Sequence, residues 1–99
     1  MAIGMLLDLP GGTKEAYEAM NQKLFGSAGP GTPEGILVHT AGATESGWRI
    51  FDVWESREAL DSFMTSRVGP AAQELGMTDM PRPEIYDLEN VLIGETSAV

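Results

Sequence analysis

Residues 35–55 read GILVHTAGATESGWRIFDVWE, and this stretch decides the fold. Two β-rich runs, Gly35 to Ala41 and Trp48 to Glu55, flank the polar, glycine-bounded segment Gly42-Ala43-Thr44-Glu45-Ser46-Gly47. That pattern predicts a hairpin with a solvent-facing turn. If Gly42 and Gly47 face each other, His39 stands opposite Ile50, with Trp48 and Asp52 as its diagonal neighbours on one face. Trp54 belongs to the same face. A slip of one residue would instead place His39 among Arg49 and Phe51 on the other side of the sheet.

Upstream of the hairpin, Ala2 to Leu9 carries apolar residues on both faces, which suits a covered strand, and Pro10-Gly11-Gly12 ends it. Thr13 is positioned to cap a helix of about three turns whose Ala16, Tyr17, Met20 and Leu24 share one stripe until Gly26. Ser27 to Glu34 includes Gly29-Pro30-Gly31-Thr32-Pro33 but lacks the lysine of a phosphate loop and leads into a strand, so it reads as a linker.

Downstream, Ser56 caps a second helix with the stripe Ala59, Leu60, Phe63 and Met64, and Gly69-Pro70 is expected to break it. Helical spacing resumes through Val68, Ala71, Ala72 and Leu75 to a terminating Gly76. Met77 to Pro83 is a connection, Glu84 to Ile93 a last strand, and residues 94–99 an expected frayed tail. The order β-α-β-β-α-β predicts an α+β, ferredoxin-like domain over residues 1–99, with a four-stranded antiparallel sheet and both helices on one face. Apolar residues on both strand faces, such as Leu37 beside Val38 and Phe51 beside Ile50, predict that a second copy covers the helix-free face.

Composition narrows the chemistry. Ninety-nine residues make one modest core, and the formal charge of −9, spread along the chain, argues against a nucleic-acid or anionic-membrane partner. With no cysteine and one histidine, the chain offers no disulfide, thiolate nucleophile, iron–sulfur ligand set or multi-histidine metal site. Met1 to Leu9 has no basic leader and is interrupted by Asp8, so it reads as neither signal peptide nor membrane span; the expected location is cytoplasmic.

The run from Gly35 to Gly42, followed by Gly47 to Ser56 and by Glu58-Ala59-Leu60, resembles the dimeric α/β-barrel superfamily, and within it small bacterial proteins of the antibiotic-biosynthesis-monooxygenase type. The specific wording spans about residues 35 to 64. The resemblance implies a dimer joined through its sheets, with a small-molecule cavity between sheet and helices in each subunit. Its members include cofactor-independent monooxygenases acting on polyketide-like phenols, haem-degrading oxygenases, polyketide cyclases and stress-responsive proteins. Members of the haem-degrading branch carry a helix histidine as the haem ligand; the matching position here is Phe63, a departure that argues against haem.

The residues themselves allow a mechanism. His39 is the only side chain of a type that ordinarily changes charge near neutrality, Asp52 is placed to orient it, and Trp48 and Trp54 are candidate walls for a planar organic ligand. Arg49 is a candidate for stabilising an anion, Tyr86 and Asn90 for donating hydrogen bonds to a carbonyl or dioxygen, and Tyr17 for lining the pocket from the first helix. The leading expectation is a cofactor-free, homodimeric enzyme on a small-molecule substrate: a monooxygenase in which His39 removes a phenolic proton, Asp52 orients the imidazolium, and Arg49 or Asn90 stabilises the phenolate. A cyclase or isomerase using the same base on an enolate is the alternative within the fold. A non-catalytic ligand-binding or stress-associated dimer, with His39 structural, is the alternative of another class.

Overall fold

The computed structural model describes residues 1–25, 33–77 and 80–94. Most of the expected linker at 27–34 and all but the first residue of the expected tail lie outside the described residues. Four strands, β1 (Ile3–Pro10), β2 (Ile36–Ala43), β3 (Gly47–Trp54) and β4 (Glu84–Asp87), form one antiparallel sheet in the order β2-β3-β1-β4. One helix, α1 (Lys14–Phe25), follows β1. A second helical run follows β3 as α2 (Arg57–Phe63), a π-helical turn (Met64–Val68) and α3 (Gly69–Glu74). The architecture is α+β, with the element order read from the sequence.

The hairpin register differs from the expected one by two residues. His39 pairs directly with Asp52, Ala41 with Ile50 and Ala43 with Trp48. The strands run closer to the turn than the glycines suggest: Thr44 and Gly47 exchange backbone bonds of 2.8 and 3.3 Å, so Glu45-Ser46 alone makes the link. Gly47 is needed for another reason. A Cβ there would lie 2.2 Å from the Leu9 carbonyl oxygen and 2.6 Å from the Gly11 nitrogen, where the β1–α1 turn packs against the hairpin. Because the error is even, the paired side chains from Val38 to Ala43 keep their expected faces. An irregularity between Ile36 and Val38 then sets Ile36 opposite Trp54.

One further expectation is refined and one corrected. The second helical run is divided, with Pro70 in the first turn of α3 as its position suggests, but Gly69-Pro70 does not end it: Phe63, Met64, Val68 and Gly69 all hold right-handed helical angles, and a wider π turn precedes the proline, with the Gly69 N–H bonding the Met64 carbonyl. Widening relieves the clash that a proline ring makes with the preceding turn. The last strand ends at Asp87, well short of Ile93, because β1 starts at Ile3 and only one further bond, Leu88 N–H to the Ala2 carbonyl, extends the pairing.

The helix ends follow from their sequences. Thr13 Oγ1 accepts from the Ala16 N–H at 3.1 Å, and Ser56 Oγ from the Ala59 N–H at 3.1 Å. Gly76 takes φ +72°, with its N–H bonding Gln73 and the Met77 N–H bonding Ala72, a complete left-handed C-cap. Both helical segments cover the face that carries Met5 and Leu7 of β1 and Trp48, Ile50, Asp52 and Trp54 of β3. Ile3, Met5, Leu7, Trp54 and Leu60 form the core. Trp54 and Leu60 are fully enclosed there, each worth about 1.5–3 kcal/mol of burial.

Candidate active site

Tyr17, His39, Asp52 and Trp54 form one hydrogen-bonded chain. His39 Nδ1 meets Asp52 Oδ1 at 2.6 Å, the Trp54 Nε1–H donates to Asp52 Oδ2 at 3.3 Å, and the Tyr17 hydroxyl meets His39 Nε2 at 2.5 Å. Asp52 is only 5 % exposed, so its charge is removed from water; two N–H donors offset that cost. A carboxylate only accepts, which fixes the imidazole proton on Nδ1 in the neutral ring and leaves the Nε2 lone pair to the Tyr17 O–H.

The Tyr17 and His39 rings are 10° from parallel with centroids 6.0 Å apart. Together with the short O···N distance, that separation describes two coplanar rings joined end to end, not stacked faces. The phenolic O–H therefore points along the in-plane lone pair of Nε2. The other wall is Trp48, whose ring centroid is 5.2 Å from that of Tyr17. Trp48 Nε1 is the one buried side-chain nitrogen or oxygen among the described residues with no hydrogen-bond partner.

This chain borders a cavity of about 1210 Å³ between the helices and the sheet. Small-molecule sites commonly measure roughly 300–1,000 Å³, so the space admits a ligand of several fused rings. Its walls are largely apolar: Met5 and Leu7 from β1, Met20 and Leu24 from α1, Leu60, Phe63 and Met64 from the second helical run. Tyr17, His39, Asp52, Trp48 and Trp54 all border it, whereas Asp52 and Trp54 are themselves closed off from water. His39 is the opposite case, with 42 % of its side chain exposed. At the far end of α1, Arg67 Nη2 donates to the Leu24 carbonyl at 2.5 Å, and Lys23 pairs with Glu74 at 3.2 Å, tying α1 to the second helical run.

Three other candidates lie elsewhere. Arg49 is on the helix-free face, where its Nε donates to Asp8 Oδ1 at 2.6 Å; the hydrogen bond first, and the charge second, raise its pKa above the ordinary value. Tyr86 pairs with Gly4, its ring over the glycine on that same face. Asn90 is exposed beyond the end of β4 and does not border the cavity. Phe63 packs on Trp54 with ring centroids 5.4 Å apart.

Comparison of the chain with protein-family models, with curated proteins and with solved structures finds no match. The chemistry of the site therefore rests on its own geometry. Among the described residues no three or more His, Asp or Glu side chains gather as a metal site, and no helix is long and apolar enough to cross a membrane. What the arrangement can do is accept a proton from a ligand in an apolar cavity and hold the resulting imidazolium against a buried carboxylate.

The sequence signal for the direct Tyr17–His39 bond was weak but present. Tyr17 shares its stripe with Ala16, Met20 and Leu24, which set the inward face of α1, and the Thr13 cap fixes where that face begins. Nothing local in residues 13–25 indicates which strand residue the phenol will reach.

Proposed function

We propose that the protein is a small cofactor-free oxygenase of the dimeric α/β-barrel type, acting on a phenolic, polyketide-like molecule held in the cavity. The observation that supports this reading most is the hydrogen-bonded series Asp52–His39–Tyr17, a proton acceptor backed by a buried carboxylate and opening on an apolar space. The ferredoxin-like order of the strands and the partly apolar helix-free face, with Phe51 half-buried and Tyr86 42 % exposed, support the paired subunit.

In the reaction the ligand O–H gives up its proton to the site. The electron-rich ring carbon para to the phenolate then bonds dioxygen as a peroxide. Loss of the ring hydrogen with cleavage of the O–O bond releases water and leaves a second carbonyl, so one phenol and one dioxygen yield one para-quinone and one water. The imidazolium held by Asp52 supplies the nearby positive charge. Arg49 and Asn90 play no part in this version, since neither borders the cavity.

1-Naphthol is a suitable test substrate. The reading predicts dissolved-oxygen consumption and a naphthoquinone carrying one atom from labelled dioxygen, both abolished by His39→Ala with the fold intact. Closure of a polyketide-like chain with loss of water and no label would transfer the site to cyclase chemistry. Ligand binding with neither reaction, unchanged by His39→Ala, would leave a non-catalytic binding protein.

A further inference from the structure

We infer that Tyr17, and not His39, is the group that touches the ligand: the phenol of α1 acts as a proton relay between a bound hydroxyl and the imidazole. This rests on the cavity being a site for a hydroxylated ring. His39 has two nitrogens, and both are engaged, Nδ1 by Asp52 and Nε2 by Tyr17. A ligand hydroxyl therefore finds no free lone pair on the imidazole. The Tyr17 oxygen does have one, because a hydroxyl that donates its single hydrogen can still accept.

Two observations fit the relay. The coplanar, end-to-end rings aim the Tyr17 hydrogen along the Nε2 lone pair, the alignment that proton transfer needs. Trp48 lies against the phenol ring, and the capped first turn of α1, with the Tyr17 N–H bonding the Thr13 carbonyl at 3.1 Å, fixes the backbone that carries it.

The step balances simply. The ligand O–H bond breaks and its proton forms a new O–H bond on Tyr17; the original Tyr17 proton moves to His39 Nε2. Nδ1 keeps its hydrogen on Asp52. The products are a ligand phenolate, a neutral tyrosine and an imidazolium–carboxylate pair, with no oxidant required.

The probe is 4-nitrophenol, whose phenolate absorbs in the visible, titrated with the full chain below the probe's own pKa. The wild-type protein should bind it and raise its ionised fraction. Tyr17→Phe should keep affinity within about tenfold, the effect of one hydrogen bond, yet lower the ionised fraction of the bound probe by about tenfold or more. 3-Fluorotyrosine at position 17 should retain the ionisation, which separates a lost hydroxyl from a disturbed fold. If Tyr17→Phe ionises the probe as well as or better than the wild type, Tyr17 is a plug that the ligand displaces; the relay is then wrong while the functional reading stands. If the wild type neither binds nor ionises the probe, both fail.

Discussion

His39 and Asp52 face each other across β2 and β3, and the imidazole Nδ1 closes a 2.6 Å bond on the carboxylate. Because Asp52 also accepts from Trp54, a single carboxylate sets both the tautomer of the imidazole and one wall of the core. Replacing Asp52 by Asn should separate these roles. The amide oxygen can still accept from Trp54, but the amide nitrogen then faces Nδ1 as a donor, which forces the imidazole proton onto Nε2. That nitrogen no longer accepts from Tyr17. Asp52→Asn is therefore expected to fold, to bind 4-nitrophenol, and to lose its ionisation, with the tautomer change visible in the ring ¹⁵N shifts. Retained ionisation would show that the Nδ1 proton is not set by Asp52.

The two tryptophans should respond differently to the same substitution. Trp54 is fully buried and donates to Asp52 Oδ2, whereas the Trp48 Nε1 is buried without a partner among the described residues. Trp54→Phe strips a donor from a buried carboxylate, while Trp48→Phe removes a polar group that no described residue satisfies. Urea unfolding should place Trp54→Phe below Trp48→Phe by about 1–3 kcal/mol, the cost of stranding a buried hydrogen-bonding group. Equal losses would mean that lost ring volume, not the hydrogen bond, decides both.

What the sequence disclosed and what it withheld divide along a physical line. Alternation in the hairpin placed His39, Asp52, Trp48 and Trp54 on one face, since face depends on parity alone. Register depends on where the turn begins, and two facing glycines suggested a four-residue link where Thr44 and Gly47 actually pair and leave two. The same parity argument put Arg49 on the opposite side, where the hairpin alone could not say which face carries the helices. Tyr86 was separated from the site by pairing with Gly4, a contact between chain segments distant in sequence. The Tyr17–His39 bond likewise spans elements whose relative position is set by packing, and the fold had to bring them together before the relay existed.

Gly47 and Gly42 make a matched test of why the hairpin carries glycines. A methyl group at Gly47 meets the Leu9 carbonyl oxygen at 2.2 Å, while at Gly42 nothing among the described residues lies within 4 Å. Gly47→Ala must separate the hairpin from the β1–α1 turn, which also carries the Gly11 N–H bond to the Ser46 carbonyl at 2.7 Å. It should cost about 1–3 kcal/mol, as overpacking does. Gly42→Ala should be neutral or stabilise by about 0.4–1 kcal/mol, because it restricts the unfolded chain without straining the folded one. Thermal melts of the two variants suffice, and a reversed order would remove the close approach at Gly47 from the account.

Phe51 tests the paired subunit without touching the cavity. It lies on the helix-free face of β3, between Arg49 and Val53, and its backbone carbonyl is held by Thr40 Oγ1 at 2.8 Å. A carboxylate placed there is tolerable in a single subunit, where it can reach water, but unpaired and desolvated between two sheets. The wild-type chain of 10.6 kDa should therefore scatter light as a dimer at micromolar concentration, and Phe51→Glu as a monomer with an unchanged circular-dichroism spectrum. Since His39, Asp52 and Tyr17 border the cavity on the other face, the monomeric variant should still ionise bound 4-nitrophenol. A wild-type protein that is monomeric under those conditions would remove the dimer, and with it the barrel, from the proposed function while leaving the proton relay to stand or fall by its own test.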